Sequence, residues 1–156
     1  MTNEQIVQSF YIAYYGRPGD PAGVDYWVNE LNDPTTQLSE LIASFGNSAE
    51  FDLIYGAAVT PEQFFETVYQ NVLNRAPDQA GEDFWLGIYA DYISQGMTED
   101  EARAQLVIDF VGGISGGSPQ DQLAWENKFV LAEETTDLCR DPNMSDAEDS
   151  ALINFV

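Results

Sequence analysis

Four aspartates occupy equivalent places in a motif that this chain contains twice. The copy 1 motif is "GRPGDPAGVDYW", residues 16–27, and the copy 2 motif is "NRAPDQAGEDFW", residues 74–85. The two share Arg, Asp, Ala, Gly, Asp and Trp at the same relative positions. Carboxylate oxygens are the ligands that calcium prefers in proteins. One interpretation of the motif is therefore a calcium site that draws on Asp20, Asp25, Asp78 and Asp83.

A second interpretation assigns the same residues to the fold. Asp20 and Asp78 each precede a stretch of helical periodicity, where an aspartate caps the first turn by accepting backbone N–H bonds. The motif arginine would pin the loop to the cap or to the second aspartate, and the glycine would allow close packing. Trp27 and Trp85 would fill equivalent places in the core. This interpretation accounts for every shared residue, and the nearby arginine disfavours a bound cation, so we favour it over the metal site.

Aromatic residues suggest a third kind of chemistry, because flat rings can stack on the faces of sugars. The first helix and the copy 1 motif bring six aromatic residues together between positions 10 and 27. Their helical spacing places most of them in the core. The tyrosines at the edge of this cluster are the candidate glycan contacts, and they are Tyr14, Tyr15 and Tyr26.

Catalytic signatures are missing from the sequence. There is no histidine, and the single cysteine, Cys139, has only Arg140 beside it as an activating cation. With 27 acidic residues, some pair of carboxylates will stand at a suggestive spacing by chance. Residues 141–152 resemble a calcium-binding EF-hand loop, but Asp146 and Leu152 replace its glycine and glutamate, which favours a capped helix. We expect a protein that is not an enzyme.

The charge balance limits the partners. A formal net charge of -22 disfavours nucleic acid and anionic lipid, since the chain has few cations with which to displace their counterions. An acidic surface can stay soluble at high salt, and it can hold divalent cations through carboxylate oxygens, as calcium prefers. The N-terminal residues lack the basic and apolar regions of a cleavable signal peptide, and no apolar run is long enough to span a membrane. We therefore expect either a cytoplasmic protein or export directed by another signal.

The elements that position these residues are predicted to be helices in two tandem copies. Arg75 lies 58 residues after Arg17, and the same shift relates the flanking apolar residues. Their spacing is helical, threonine and serine caps precede several stretches, and no segment alternates as a strand does. We predict an all-α fold of about eight or nine helices packed into one domain over residues 1–137. Its parts are copy 1 (about 2–56), copy 2 (about 60–114), a closing helix (about 119–137) and an acidic tail (138–156) with a short helix or linker.

Four segments also carry a resemblance to a known family. They are "FYIAYYGRPGDPAGVDYWVNEL", "SFGNSAEF", "VYQNVLNRAPDQAGEDFW" and "NKFVLAEE". Together they resemble the duplicated helical domain of unknown function found in bacterial S-layer and repeats-in-toxin-like secreted proteins. The chain is also similar to the N-terminal anchoring domain of proteobacterial S-layer proteins. The resemblance runs from about Thr2 to Thr136, and the tail lies outside it.

This resemblance implies type I secretion, an extracellular location at the cell surface and export without an N-terminal signal peptide. In S-layer relatives the domain holds the lattice to lipopolysaccharide with the help of calcium. The chain is more acidic than such an anchor requires, so binding to phosphorylated lipopolysaccharide would need bridging calcium. We expect a non-catalytic module that binds cell-envelope glycan or neighbouring surface-layer subunits, without membrane insertion. The alternative is a protein–protein linker domain that resembles the linkers of light-harvesting assemblies and binds no glycan.

Overall fold

The architecture is all helical, as predicted. The computed structural model describes residues 1–36, 38–56 and 58–154, and it contains no strand within these ranges. The helices are α1 (Asn3–Phe10), α2 (Pro21–Asn32), α3 (Leu38–Gly46), α4 (Ala49–Tyr55), α5 (Pro61–Leu73), α6 (Gln79–Ser94), α7 (Glu99–Gly113), α8 (Pro119–Leu138) and α9 (Asp146–Ile153). A π-helical turn, Tyr11–Tyr15, extends α1, and a 3-10 turn, Ile114–Gly116, follows α7. None of the described helices is both long and apolar enough to cross a bilayer.

The helix starts are set by local side-chain caps. In a capping box the hydroxyl of the cap accepts a backbone N–H, and the side chain three residues later binds the cap's own N–H, so two unpaired donors are satisfied. Within the described part of the chain, four helices begin in this way. The pairs are Thr2 with Gln5, Thr60 with Gln63, Thr98 with Glu101, and Ser145 with Glu148. A serine cap is also present at Ser118, which begins α8.

The two copies meet where their first helices pack together. The π-helical turn after α1 lies against α5, and Asn71 donates from Nδ2 to the carbonyl oxygen of Ala13 at 3.0 Å. Ala13 and Asn71 are themselves equivalent residues, separated by the 58-residue shift. The Tyr55 hydroxyl also donates to the Tyr14 carbonyl oxygen at 2.8 Å. Side chains thus satisfy carbonyl groups at the π-helical turn, where the regular helical hydrogen bonding is altered.

One continuous hydrophobic core runs through both copies. Its aromatic centre includes Phe10, Tyr14, Phe45, Phe64 and Phe110, all buried. Trp27 and Trp85 pack against this core in equivalent places, but both are half-buried rather than buried. The prediction of equivalent positions is confirmed, whereas the prediction that both tryptophans are buried in the core holds only in part, because each packs against the core and stays partly exposed. Each tryptophan lies at the border between the core and the surface.

Helix α8 closes the domain by reaching back to copy 1. Near its C-terminal end, the Thr136 hydroxyl donates to the Gly19 carbonyl oxygen at 2.7 Å and accepts from Gln8 Nε2 at 2.6 Å. The Gly19 N–H donates to Gln8 Oε1 at 3.0 Å and completes a ring of three hydrogen bonds. The side chains of Gln8 and Thr136 are fully buried. Because each bond of this ring lies away from water, α8 is an integral part of copy 1.

The tail folds back as well. Helix α9 packs on α8, and Ile153 at its end is buried. Cys139 is also buried, and its thiol lies 3.9 Å from the carbonyl oxygen of Asp149. The predicted short helix is therefore present between Asp146 and Ile153, whereas residues 155–156 of the predicted tail lie outside the described residues.

Candidate functional site

The arginine of each motif binds the carboxylate that begins a later helix. Arg17 donates from Nε and Nη2 to the two Glu50 carboxylate oxygens at 2.6 and 2.7 Å. Arg75 does the same with Asp121, at 2.9 Å for both contacts. Two parallel charge-assisted bonds hold the guanidinium in one plane. We call these pairs the arginine clasps. The prediction that the arginines bind the motif aspartates is wrong for the main contact: Asp20 lies 3.9 Å from Arg17.

Each clasp also packs on a tyrosine ring of its own copy. The Arg17 guanidinium lies 5.0 Å from the ring centroid of Tyr11, and the Arg75 guanidinium lies 4.9 Å from that of the equivalent Tyr69. The Arg75 guanidinium holds the pKa of the Asp121 carboxyl below its usual value. Burial is the main reason that the pKa of the Tyr11 phenol is raised, so this phenol stays neutral. The clasps are therefore closed structural units in which each guanidinium charge is already paired with a carboxylate.

The first aspartate of each motif is a helix cap. Asp20 Oδ1 accepts the Gly23 N–H at 2.8 Å, and Asp78 Oδ1 accepts the Gly81 N–H at 2.8 Å. The prediction of N-caps is confirmed for both. The motif glycine was predicted to allow close packing, and the packing is tightest in copy 1. There the Tyr11 hydroxyl lies so close to Gly23 that a Cβ on this residue would overlap with it.

The second aspartate of each motif has a different partner in each copy. Asp25 Oδ1 accepts a hydrogen bond from Arg140 Nη2 at 2.7 Å. Asp83 Oδ1 accepts from Gln79 Nε2 at 2.9 Å, within α6. In the described part of the chain, no group of three or more acidic or cysteine side chains is arranged to hold a metal ion. The motif aspartates thus have protein partners, and calcium binding by them stays a prediction.

Arg140 stands in an acidic cleft of about 430 Å³. Besides Asp25, its guanidinium contacts Glu4 at 3.4 Å and pairs with Asp137. Glu133 also lines this cleft. Burial is the main reason that the pKa of Glu133 lies above its usual value, and the charges of Glu4 and Asp137 act in the same direction. One guanidinium thus faces four carboxylates, which leaves this surface strongly negative.

The three tyrosines predicted to contact glycan lie in different environments. Tyr14 is only 1% exposed, within the aromatic core, so its ring has no free face for a sugar. This placement removes it from the candidates. The Tyr15 ring stacks on Phe45 at 5.2 Å, and its hydroxyl donates to the Phe45 carbonyl oxygen at 3.0 Å. Tyr26 is 54% exposed and alone among the three presents most of its ring to solvent.

Sequence reasoning missed the counterpart of Tyr26. The 58-residue shift maps Tyr26 on α2 to Phe84 on α6, and Phe84 is 60% exposed. Each ring contacts the half-buried tryptophan that follows it, edge to face, with centroids 4.9 Å apart in copy 1 and 5.2 Å in copy 2. We call Tyr26 and Phe84 the paired rings. The repeat shift alone could have identified Phe84.

Small residues stand beside both paired rings. Positions i−4 and i−3 are Ala22 and Gly23 for Tyr26, and again alanine and glycine for Phe84. An aromatic side chain on a helix leans toward these positions, so small residues there leave its outer face uncovered. Each copy therefore presents an exposed aromatic ring on its second helix.

Comparisons with known proteins agree with the repeated architecture. Residues 1–53 and 42–112 each match the domain of unknown function DUF4214. No curated protein and no solved structure matches the chain. The two overlapping matches span residues 1–112, which is more than half of the 156 residues. The chain therefore belongs to the DUF4214 family and carries this domain twice in tandem.

Proposed function

We propose that this chain is a non-catalytic module that binds cell-envelope glycan and retains a secreted protein at the bacterial surface. The observation that carries the proposal is the pair of exposed rings at equivalent positions of the two copies. Isolated exposed apolar residues are common on protein surfaces. The paired rings differ from such isolated residues because they recur in both copies. The other repeated residues, Arg, Asp, Gly and Trp, make contacts that build the fold, whereas exposing a large ring to solvent does not contribute to the fold.

The chemistry of the paired rings suits a sugar. The C–H face of a pyranose is apolar and flat, so it can cover an aromatic ring and remove apolar surface from water. Sugar hydroxyls can then donate to nearby carboxylates, which act only as acceptors when ionised. Asp25 precedes Tyr26, and Asp83 precedes Phe84. Asp25 already accepts a hydrogen bond from Arg140 and Asp83 accepts one from Gln79, so each carboxylate offers a sugar hydroxyl only its remaining acceptor capacity.

Lipopolysaccharide is the envelope glycan proposed here, with calcium as an accessory ion. The net charge of -22 supports this role for calcium, because a bound or screening cation relieves repulsion within the folded chain. An extracellular, surface-bound protein secreted by the type I route is the setting that the resemblance to S-layer and repeats-in-toxin-like proteins implies.

A pull-down with purified lipopolysaccharide, together with a glycan array, tests the proposal. Both are run with calcium and with a chelator. The variants are Tyr26→Ala, Phe84→Ala and the double substitution, and the control is Leu53→Ala. Leu53 is 87% exposed and lies on α4, in a cleft that Arg17 and Asp20 also line, so its removal tests the general effect of losing an exposed apolar side chain close to the copy 1 motif.

We expect the double variant to lose glycan binding and the control to retain it. Binding that disappears with the chelator would assign calcium a direct part. Retention of lipopolysaccharide and array binding by the double variant, or no binding by the unmodified protein, would contradict the proposal.

A second candidate function is protein–protein assembly, and one surface favours it. Helix α8 exposes a row of four aliphatic side chains, Leu123, Val130, Leu131 and Leu138, with exposed fractions between 45% and 58%. Their spacings of seven and eight residues place them along one side of the helix. Leu131→Glu should then abolish association with a neighbouring subunit, measured by sedimentation, while glycan binding stays unchanged.

A further inference from the structure

The exposed side of α8 has an internal symmetry that identifies its partner, and this inference rests on the second candidate function, assembly through α8. Leu123, Val130, Leu131 and Leu138 form the row of exposed side chains, which we call the α8 row. We infer that the α8 row is an interface with a second copy of this chain, whose own α8 packs antiparallel to it about a two-fold axis. The family match names no partner.

The α8 row is symmetric about the midpoint between its two central residues. Leu123 precedes Val130 by seven residues, and Leu138 follows Leu131 by seven. A two-fold axis through this midpoint, perpendicular to the helix, places a second α8 alongside in the opposite direction. Leu123 then lies level with Leu138 of the partner subunit. Val130 likewise lies level with the partner's Leu131. An interface in which one patch serves both subunits is the usual arrangement in homodimers.

Two polar residues on the same side of α8 obey the same symmetry. The row spans about 100° of the helix circumference, and within this arc, between the ends of the row, lie two further exposed residues, Asn127 and Glu134. They stand three residues before and three residues after the central pair. The Asn127 amide therefore lies level with the carboxylate of the partner's Glu134, to which it can donate a charge-assisted hydrogen bond. A parallel pair would instead place the two Glu134 carboxylates against each other, where like charges repel.

The arc of the row is poor in charge within a chain that is rich in it. Glu134 is its one acidic residue, although the chain has 27 acidic residues and a net charge of -22. Depletion of charged side chains distinguishes the centre of a protein–protein interface from the remaining surface. Asn127 and Leu131 also line a cleft of about 280 Å³ with Asn74 and Lys128. A partner's side chains thus find a recess beside the row.

The length of the row and the net charge determine how strongly two copies associate. Fifteen residues separate the ends of the row, which corresponds to about 22 Å of helix and is short for a stable interface. The two negative chains also repel each other, and salt screens this repulsion. We therefore expect a weak, reversible dimer, with a Kd on the order of 100 µM at about 0.5 M salt, that becomes weaker at low salt.

Sedimentation equilibrium of the purified chain, from about 10 µM to about 1 mM and at low and high salt, tests the inference. The variant is Leu131→Glu, and the matched control is Leu53→Glu, which adds the same charge at a leucine that is 87% exposed on α4. Thermal melting of each variant confirms that it is folded. The unmodified chain and the control should dimerise. Because Leu131→Glu acts in both halves of the interface, a tenfold loss in each half becomes a loss of about a hundredfold in the association constant.

Disulfide crosslinking in a Cys139→Ser background tests the antiparallel register. Val130 lies beside the two-fold axis, so Val130→Cys should crosslink to itself. The two Leu123 residues of the dimer are about 22 Å apart, so Leu123→Cys should not crosslink to itself. A mixture of Leu123→Cys and Leu138→Cys should form the crosslinked heterodimer.

Three outcomes would overturn the inference. They are a monomer throughout the concentration series, a dimer that Leu131→Glu leaves intact, and crosslinking of Leu123→Cys to itself. If the purified chain is monomeric, retention of Leu131→Glu on isolated cell envelopes decides whether the second candidate function falls as well. Lost retention would leave assembly through α8 standing with a different partner. Unchanged retention would contradict assembly through α8 altogether.

Discussion

The hydrogen-bonded ring formed by Gln8, Gly19 and Thr136 gives a sharp test of how α8 stabilises copy 1. Thr136→Val keeps the shape of the side chain and removes its hydroxyl. Gln8 Nε2 then loses its acceptor and the Gly19 carbonyl oxygen loses its donor, in a site where the Gln8 and Thr136 side chains are fully buried. A buried polar group left without a partner costs about 1–3 kcal/mol.

The two unpaired groups together are expected to lower the free energy of unfolding by about 3 kcal/mol, after a small gain from the added methyl group. For a domain of this size, that corresponds to a fall in melting temperature of about 9 °C. Urea unfolding followed by tryptophan fluorescence gives the free energy, and calorimetry gives the melting temperature.

Thr135→Val is the matched control. Thr135 is buried next to Thr136, but its hydroxyl donates only to the Leu131 carbonyl oxygen one turn earlier in α8, at 2.7 Å. That carbonyl oxygen keeps its helical hydrogen bond, so Thr135→Val should lower the free energy of unfolding by less than about 1 kcal/mol. If the free energies of unfolding of the two variants differ by less than about 0.5 kcal/mol, the hydrogen-bonded ring does not stabilise copy 1.

The remaining predictions concern the caps, the glycine contact and the acidic cleft. Asp20→Ala and Asp78→Ala should each lower the free energy of unfolding by about 1 kcal/mol with and without calcium, since each removes an N-cap; a loss seen only with calcium would instead indicate a metal site. Gly23→Ala should lower the free energy of unfolding, measured in urea, by about 2 kcal/mol, and Gly81→Ala should lower it much less. The reason is that the new Cβ overlaps with the buried Tyr11 phenol in copy 1, whereas in copy 2 it lies 3.2 Å from its nearest neighbour. Equal costs would contradict the close contact. The raised pKa of Glu133 means that ionisation is disfavoured in the fold, so stability is lost as pH rises through that pKa. Glu133→Gln should therefore raise the melting temperature at about pH 7 and leave it unchanged at about pH 3, and equal effects at both would refute this.

Local features of this fold were predictable from the sequence. The aspartate caps and the threonine and serine capping boxes join residues only three positions apart, so the chain itself brings the partners together. The tandem repeat was predictable for a similar reason, because a constant shift of 58 residues can be read without knowing the fold.

Features that depend on packing were missed or misassigned. Arg17 binds Glu50, which lies 33 residues later, and no local spacing indicates that pair. The sequence places Tyr14 at the edge of the aromatic cluster, where its ring would be accessible to a glycan. In fact residues 7–14 are all buried, since α1 and its π-helical turn pack against α2, α4, α5 and α8 at once. A helix surrounded on every side has no free edge, whereas Tyr26 on the outer helix α2 does.

The repeated residues fall into two groups, those that build the fold and those proposed to bind a ligand. Retention on isolated cell envelopes tests this separation most directly, with the unmodified chain compared to the Tyr26→Ala/Phe84→Ala double variant and to Leu53→Ala. We predict that the double variant keeps the melting temperature of the unmodified chain to within a few degrees and is no longer retained, while Leu53→Ala is retained fully. Full retention of the folded double variant would show that the paired rings do not bind the envelope.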